Sequence, residues 1–377
     1  MEQRWIRRFT TGDPNDRDLL GGKGAGLAAM TQLGLPVPPG FVITTAACRD
    51  YLEHDGEEPD KLWQEVDEAL ESIEQGTGKG IGDPACPLLL SVRSGAKISM
   101  PGMMDTILNI GLNDATTAGL AKLTNERFAL DSYRRLIQMF SRVALGVTTD
   151  DFECVLTEVR KRTGAVDDAS LTPEALKEVI RRYRAILRAH HVTFPDDPHD
   201  QIRLAALAVF RSWNTPRAVA YREANQIPDD IGTAAVIQTM VFGNLGEDSG
   251  TGVAFTRDPN TGDAGLFGEF LPNAQGEDVV AGIRTPIPIT KMGENAAWRP
   301  AHRQLSELAE QLERHEHDMQ DIEFTVEQGR LWLLQTRTGK RTAQAAVTIA
   351  VALAGEGLID RQTAVLRVTP QNIEQLL

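Results

Sequence analysis

Between about residues 115 and 200 the chain is poor in Gly and Pro. Leu, Ile and Val recur there at helical spacing along charged faces, most plainly over Phe128 to Val143 and Pro173 to His190. Both flanks read differently. Before this block, short apolar runs such as Phe41-Val42-Ile43-Thr44 and Leu88 to Val92 alternate with Pro- and Gly-rich turns. After it comes a helix-rich stretch from Asp200 to Asn225, then an apolar strand from Ala234 to Gly243. This order predicts a helical subdomain inserted into a frame of strands and helices. The 377 residues exceed what one hydrophobic core usually serves, so two or three subdomains are expected.

Charge and cysteine usage narrow the function classes. A net charge of −14 argues against general nucleic-acid binding, which needs a basic field. It leaves room for a phosphate ligand, which needs only a local cluster of Lys, Arg and backbone N–H groups. The apolar stretches, such as Leu88-Leu89-Leu90 and Ala343 to Leu353, are too short or too broken to span a bilayer. Met1-Glu2-Gln3-Arg4-Trp5 begins polar, without the apolar core of a secretory signal. Cys48, Cys86 and Cys154 are widely spaced and odd in number, which suits neither a metal site nor a disulfide framework. The expectation is a cytoplasmic protein with reduced thiols, bound neither to nucleic acid nor to a membrane.

Four segments carry candidate chemistry. Gly21-Gly22-Lys23-Gly24-Ala25-Gly26 is expected to form a loop ahead of a helix through Leu27, Met30 and Leu33, with Gly34 just past its end. It is not a P-loop, because Arg17 stands where that motif has its first Gly and Gly24 where it has Ser or Thr. Gly24 to Ala29 fits a loose dinucleotide fingerprint, but no strand is evident before it. Two readings stay open: a phosphate cradle, favoured by Lys23, and a tight turn. In the second segment, Arg93 and Lys97 follow the end of the strand Leu88–Val92, where α/β proteins hold ligands. Met100, Met103 and Met104 flank Pro101-Gly102 there, and read either as a lid or as core filler. In the third, Gln238-Thr239-Met240-Val241 can offer backbone groups and Met240 to an adenine ring, although the residues alone favour plain core. Gly-rich turns are expected after it, at Gly243, Gly246, Gly250 and Gly252, with a strand at Val253–Thr256.

The fourth is a hairpin from Asp321 to Arg337. Alternation puts Ile322, Phe324 and Val326 on one face, and Asp321 and Glu323 on the other. A three-residue loop, Gln328-Gly329-Arg330, sets Glu323 opposite Gln335 and Asp321 opposite Arg337. Trp332 and Leu334 then join the apolar face. A two-residue loop moves Gln335 to that face, a poorer pattern. Two carboxylates, an amide oxygen and a guanidinium on one face suit Mg²⁺ bound to substrate phosphates. A solvated face with ordinary cross-strand pairs fits the same pattern. None of the seven histidines sits in a Gly-, Ser- or Thr-rich loop that would present a phosphoryl acceptor.

These motifs resemble one family. Gly21 to Leu27, Leu35-Pro36-Val37-Pro38-Pro39-Gly40-Phe41, Ser91 to Ala96, Met100 to Thr106 and Gly250 to Arg257 are similar to the opening part of pyruvate phosphate dikinases. So are Asn273 to Pro286, Asp318 to Thr325 and Leu334-Gln335-Thr336-Arg337. The resemblance implies an ATP-grasp fold, an α/β (α+β) architecture in which two lobes clamp ATP. Residues 1–110, completed by 201–243, would form the first lobe and 111–200 the helical insertion. Residues 244–340 would form the second lobe with its metal-binding hairpin, and 341–377 a helical tail.

By similarity, Lys23, Arg93 and Arg337 would be the catalytic cations, with Lys23 and Arg93 on the phosphates. Glu323 and Gln335 would hold Mg²⁺, and Asp321 and Arg337 would complete the β- and γ-phosphate end. Gln238 and Met240 would line the adenine pocket, Thr251 and Gly252 would form a Gly-rich cover, and Glu277 would meet the ribose. The family's reaction converts ATP, phosphate and pyruvate to AMP, pyrophosphate and phosphoenolpyruvate, and its first step moves a pyrophosphoryl group to a histidine. The matching motifs run out near Val368-Thr369-Pro370-Gln371-Asn372, before the family's phosphohistidine domain and pyruvate-binding barrel. The expected acceptor is therefore a histidine on a separate partner. A stand-alone phosphotransferase with a small-molecule acceptor and a regulatory nucleotide-binding module are the alternatives. The intact Lys23, Arg93, Glu323, Gln335 and Arg337 weigh against the last.

Overall fold

Strand β1 (Ile6–Arg8), β2 (Gly40–Ile43), β3 (Leu90–Gly95), β4 (Thr106–Ile110) and β5 (Ala234–Thr239) build one antiparallel sheet in the order β1-β2-β5-β3-β4. They come from a computed structural model that describes residues 5–377 except 101, 103–105 and 282–283, and that leaves out the side chains of Glu277, Val280 and Ala281. β5 lies between β2 and β3, and all its residues are buried, as its run Ala-Ala-Val-Ile requires of a central strand. It is shorter than the apolar run, although Met240 N still donates to Leu89 O at 2.8 Å.

The helices before β3 are α1 (Arg17–Gln32), α2 (Thr45–Glu53) and α3 (Leu62–Thr77). Between β4 and β5 come α4 (Asp114–Leu123), α5 (Glu126–Val143), α6 (Asp150–Thr163), α7 (Pro173–Ala189), α8 (Pro198–Ser212) and α9 (Pro216–Ala224). Three of these start on a capping side chain followed by Pro: Thr172, Asp197 and Thr215 accept from backbone N–H groups of the first turn. The apolar stripes of α5 (Phe128, Leu136, Ile137, Phe140) and α7 (Leu176, Val179, Tyr183) are buried, and these two helices pack together. The expected helical block is thus present, and α8 covers the sheet through Ala205, Val209 and Phe210.

The chain divides into two compact units, residues 1–28 with 39–240, and residues 29–38 with 241–377. The second unit holds another antiparallel sheet, of β6 (Gly250–Arg257), β7 (Ala264–Pro272), β8 (Ile287–Pro288), β9 (Gln320–Glu327) and β10 (Arg330–Thr338), in the order β10-β9-β6-β7-β8. Its helices are α10 (Gly276–Ala281), α11 (Ile289–Glu294), α12 (Arg299–Glu316), α13 (Ala343–Gly355), α14 (Arg361–Arg367) and α15 (Pro370–Glu374). α12 buries Leu305, Ala309 and Leu312 against the sheet. Met319, Ala345, Ile349 and Leu353 form a second small core under α13. Among the described residues no helix is long and apolar enough to cross a membrane.

Two sequence expectations are corrected here. The Gly-rich segment 21–26 is helical rather than a loop: the helix breaks only at Gly21 (φ 67°, ψ 170°) and resumes at once. A Cβ on Gly21 would lie 1.5 Å from Gly95 O, and Gly22 N donates to Ala96 O at 3.0 Å. The glycines therefore let α1 dock against the segment that follows β3. Gly250 and Gly252, expected in turns, lie inside β6, where a Cβ on Gly252 would meet Phe324 at 2.6 Å. Close packing selects these glycines, and a helix-breaking reading of the sequence cannot tell packing from turning.

Gly21→Ala is expected to destabilise the protein by more than about 2 kcal/mol, because a left-handed φ and a clash with fixed backbone act together. Gly34→Ala is the control. Its φ is 74°, but nothing lies within 4 Å of the added carbon, so only the conformational cost of about 1 kcal/mol remains. Urea unfolding of both variants measures the difference, and equal midpoints would contradict the docking role.

Candidate functional site

Within the first unit, Arg93 lies inside β3 rather than beyond its end, opposite Val236 of β5. Its guanidinium Nη2 donates to Oε1 of Gln238, one residue pair along the same sheet face, and both side chains are buried. The Gln238 amide fixes the guanidinium in place on the sheet face without itself adding a negative charge. Gly95 is on the same face as Arg93, two residues on, and a Cβ there would sit 3.6 Å from the Lys23 Cβ. The docking of α1 thus brings half-buried Lys23 to the strand that carries Arg93. Lys97, the other cation of this segment, pairs at 2.5 Å with exposed Asp18. Met240 is half-buried just past β5. Pro101, Met103, Met104 and Asp105 of the expected lid lie outside the described residues, as does the Glu277 side chain.

Within the second unit the hairpin has the expected partners by an unexpected route. The turn has two residues, Gln328 (φ 48°) and Gly329 (φ 76°), not three. Arg330 therefore pairs with Glu327, and Leu331 and Leu333 join Ile322, Phe324 and Val326 on the buried face in place of Trp332 and Leu334. A bulge between Leu333 and Gln335 then resets the register. Gln335 ends opposite Glu323, and Arg337 opposite Asp321, as first expected. β10 is an edge strand, and Leu333 N, next to the bulge, donates to Pro36 O at 2.8 Å.

The polar face so formed has a defined charge pattern. Arg337 Nε donates to Asp321 Oδ2 at 2.7 Å, while Asp321 Oδ1 is buried without a partner among the described residues. Burial pushes the Asp321 carboxyl above its ordinary range; the Arg337 guanidinium opposes this, and Glu323 adds to the push. Among the described residues neither the Glu323 carboxylate nor the Gln335 amide has a hydrogen-bond or ion-pair partner, and both are half-buried. No group of three or more His, Cys, Asp or Glu among the described residues forms a metal cage. One carboxylate, one amide oxygen and an unmet Asp321 oxygen fit Mg²⁺, which takes few protein ligands and completes its shell with phosphate and water.

Thr251 is in β6 opposite Thr325, and its hydroxyl donates to Phe324 O at 3.1 Å. Gly252, the next residue, faces Phe324 on the buried side. Both are residues of β6. The sequence reading passed over Glu327, whose Oε1 accepts from Phe242 N at 2.8 Å. It also passed over the polar-face position of Trp332. A two-residue turn at Gln328-Gly329 was the signal that could have found the latter.

The sequence profile described as "Pyruvate phosphate dikinase, AMP/ATP-binding domain" matches residues 17–77, 55–299 and 292–356. The chain belongs to the pyruvate phosphate dikinase AMP/ATP-binding domain family. It is 50% identical over 377 residues to the pyruvate, phosphate dikinase of Clostridium symbiosum, covering 99% of this chain and 43% of that protein. It is 53% identical over 367 residues to the chloroplastic enzyme of Mesembryanthemum crystallinum, and 52% to pyruvate, phosphate dikinase 2 of Zea mays. Those matches cover 97% of this chain, and 38% and 41% of the two plant proteins. The chain thus spans about two-fifths of the length of the dikinases it matches. Two units, each with a five-stranded antiparallel sheet flanked by helices, make up the ATP-grasp architecture of this dikinase domain.

Proposed function

We propose that the chain is the nucleotide half of a pyruvate phosphate dikinase: it binds Mg-ATP and transfers a pyrophosphoryl group to a histidine on a separate partner. The observation that carries this reading is the polar face of the hairpin, where Glu323 meets Gln335 and Asp321 meets Arg337. Mg²⁺ held by Glu323 and Gln335 would neutralise charge on the β- and γ-phosphates. Lys23 and Arg93 add fixed positive charge to the phosphate tail, and Arg337 stabilises the charge that develops there. Asp321 orients Arg337 through their hydrogen bond. Gln238 and Met240 would line the adenine side, with Thr251 and Gly252 as the Gly-rich cover and Glu277 at the ribose.

In the transfer itself, the partner's imidazole nitrogen attacks the β-phosphorus. The bond from that phosphorus to the oxygen bridging the α-phosphate breaks, AMP leaves with that oxygen, and the imidazole loses its proton. The chain's residues contribute alignment and charge neutralisation, since phosphoryl chemistry asks for little else. The residues 1–110 with 201–243, 111–200, 244–340 and 341–377 are read as first lobe, helical insertion, second lobe and tail.

Calorimetric titration with ATP and with AMP tests the phosphate assignment. Lys23→Ala and Arg93→Ala are expected to weaken ATP binding by roughly 1.5–3 kcal/mol, the cost of losing a charged hydrogen-bond partner, and to weaken AMP much less. Equal losses for the two nucleotides would mean that these cations do not read the β- or γ-phosphate. No binding of either nucleotide to the unmodified chain would overturn the reading as a whole.

A further inference from the structure

Trp332 lies on the polar face of the hairpin as the cross-strand partner of Thr325, next to the Glu323–Gln335 pair. Its ring is half-buried, and the Arg330 guanidinium stacks 4.0 Å from the ring centre. Its indole N–H is buried and has no acceptor among the described residues. The fold does supply acceptors to indoles elsewhere: Trp5, Trp63 and Trp213 donate to Asp60 O, Glu58 Oε2 and Asp229 O. Among the described residues Trp298 also lacks an acceptor, but it packs edge-on against Phe270, on the buried face of the sheet. Among the described residues, Trp332 is therefore the tryptophan whose unmet donor belongs to the polar face. A buried donor without an acceptor is costly, and a ligand that supplies the acceptor removes that cost.

The geometry of the strands says which part of a ligand that would be. Same-face positions on a strand are about 7 Å apart. Asp321 and Arg337 stand one step from the metal pair toward the base of the hairpin, and Thr325 and Trp332 one step toward its tip. With the terminal phosphates at the base, the part of an extended nucleotide one step toward the tip is its α-phosphate and ribose.

We infer that the Trp332 indole N–H donates to an oxygen of the bound nucleotide between its β-phosphate and its base, with Arg330 holding the ring plane. This rests on the reading of the hairpin as the nucleotide site. ATP and AMP share this part of the molecule, so Trp332 contributes to both, unlike the cations of the phosphate tail.

The test uses the full chain with Trp332→Phe, which keeps a ring and removes the donor. Titrations with Mg-ATP and with AMP are expected to show both affinities falling about fivefold, the worth of one neutral hydrogen bond, with their ratio unchanged. The melting temperature without nucleotide should not fall, since an unsatisfied donor has been removed. Unchanged affinities, or a loss confined to ATP, would overturn the inference. A second measurement guards against misfolding of that variant. In protein labelled with ¹⁵N-tryptophan, the indole signal assigned through Trp332→Tyr should shift when AMP is added, and a signal that stays put overturns the inference too. Failure of the unmodified chain to bind either nucleotide would instead sink the parent reading.

Discussion

Glu323→Ala is expected to leave the fold intact and to abolish the Mg²⁺-dependent part of the thermal stabilisation by ATP. The fold should survive because the Glu323 carboxylate makes no hydrogen bond or ion pair among the described residues and is only half-buried. The metal term should not. A ligand that binds only the folded state stabilises it by about 2.7 kcal/mol at a hundredfold excess over its dissociation constant. Mg²⁺ uses one or two protein carboxylates with phosphate oxygens, and Glu323 supplies the carboxyl group of its pair with Gln335. Its loss leaves a neutral amide oxygen opposite an alanine. Melting curves with ATP, with and without Mg²⁺, measure the difference directly. If the Mg²⁺-dependent increment is the same in the variant, Glu323 is not a metal ligand and the polar face is a solvated one.

The second large effect concerns the acceptor. With ATP labelled at the β-phosphate, the purified chain alone is expected to release almost no AMP and to form no phosphoenolpyruvate from ATP, phosphate and pyruvate. Adding a separate polypeptide with the dikinase phosphohistidine domain should switch on AMP formation and place label on its histidine. Phosphoenolpyruvate should then appear only when the pyruvate-binding barrel is supplied as well. The physical reason is one of distance and partners. The overall reaction needs an acceptor that visits ATP and pyruvate in turn. The chain's histidines have other settings: His54, His190, His199 and His315 sit beside Asp or Glu on exposed helix ends and faces. His302 is partly buried, and that burial lowers its pKa. Phosphoenolpyruvate made by the 377-residue chain on its own would overturn the proposal of a separate acceptor. Rapid AMP formation with a small acceptor and no protein partner would instead favour a stand-alone phosphotransferase.

The sequence by itself determined the elements whose signals are local. Helical spacing without Gly or Pro marked α5 and α7, whereas α8 and α9 were legible only as one helix-rich stretch from Asp200 to Asn225 and not by their capped starts at Pro198 and Pro216. Alternation marked β9 and β10, and the motifs carried the family. Local pattern cannot report which distant atom a glycine must make room for. Gly21 to Gly26 therefore read as a loop, and only the approach of Gly95 and Ala96 showed a helix docked by its glycines. The site followed the same division. Glu323 opposite Gln335 was legible, but as the outcome of a three-residue loop. The protein reaches it with a two-residue turn and a bulge at Leu334, so the faces of Leu331 to Leu334 were inverted while those of Gln335 and Arg337 were right. Register along a hairpin is a running sum of turn length and bulges, and two compensating changes leave no trace in the alternation beyond them. The buried Arg93–Gln238 contact and the unmet Trp332 donor depend on which strands become neighbours. Only the tertiary structure decided that, because β5 reaches its place beside β3 after more than a hundred residues of intervening chain.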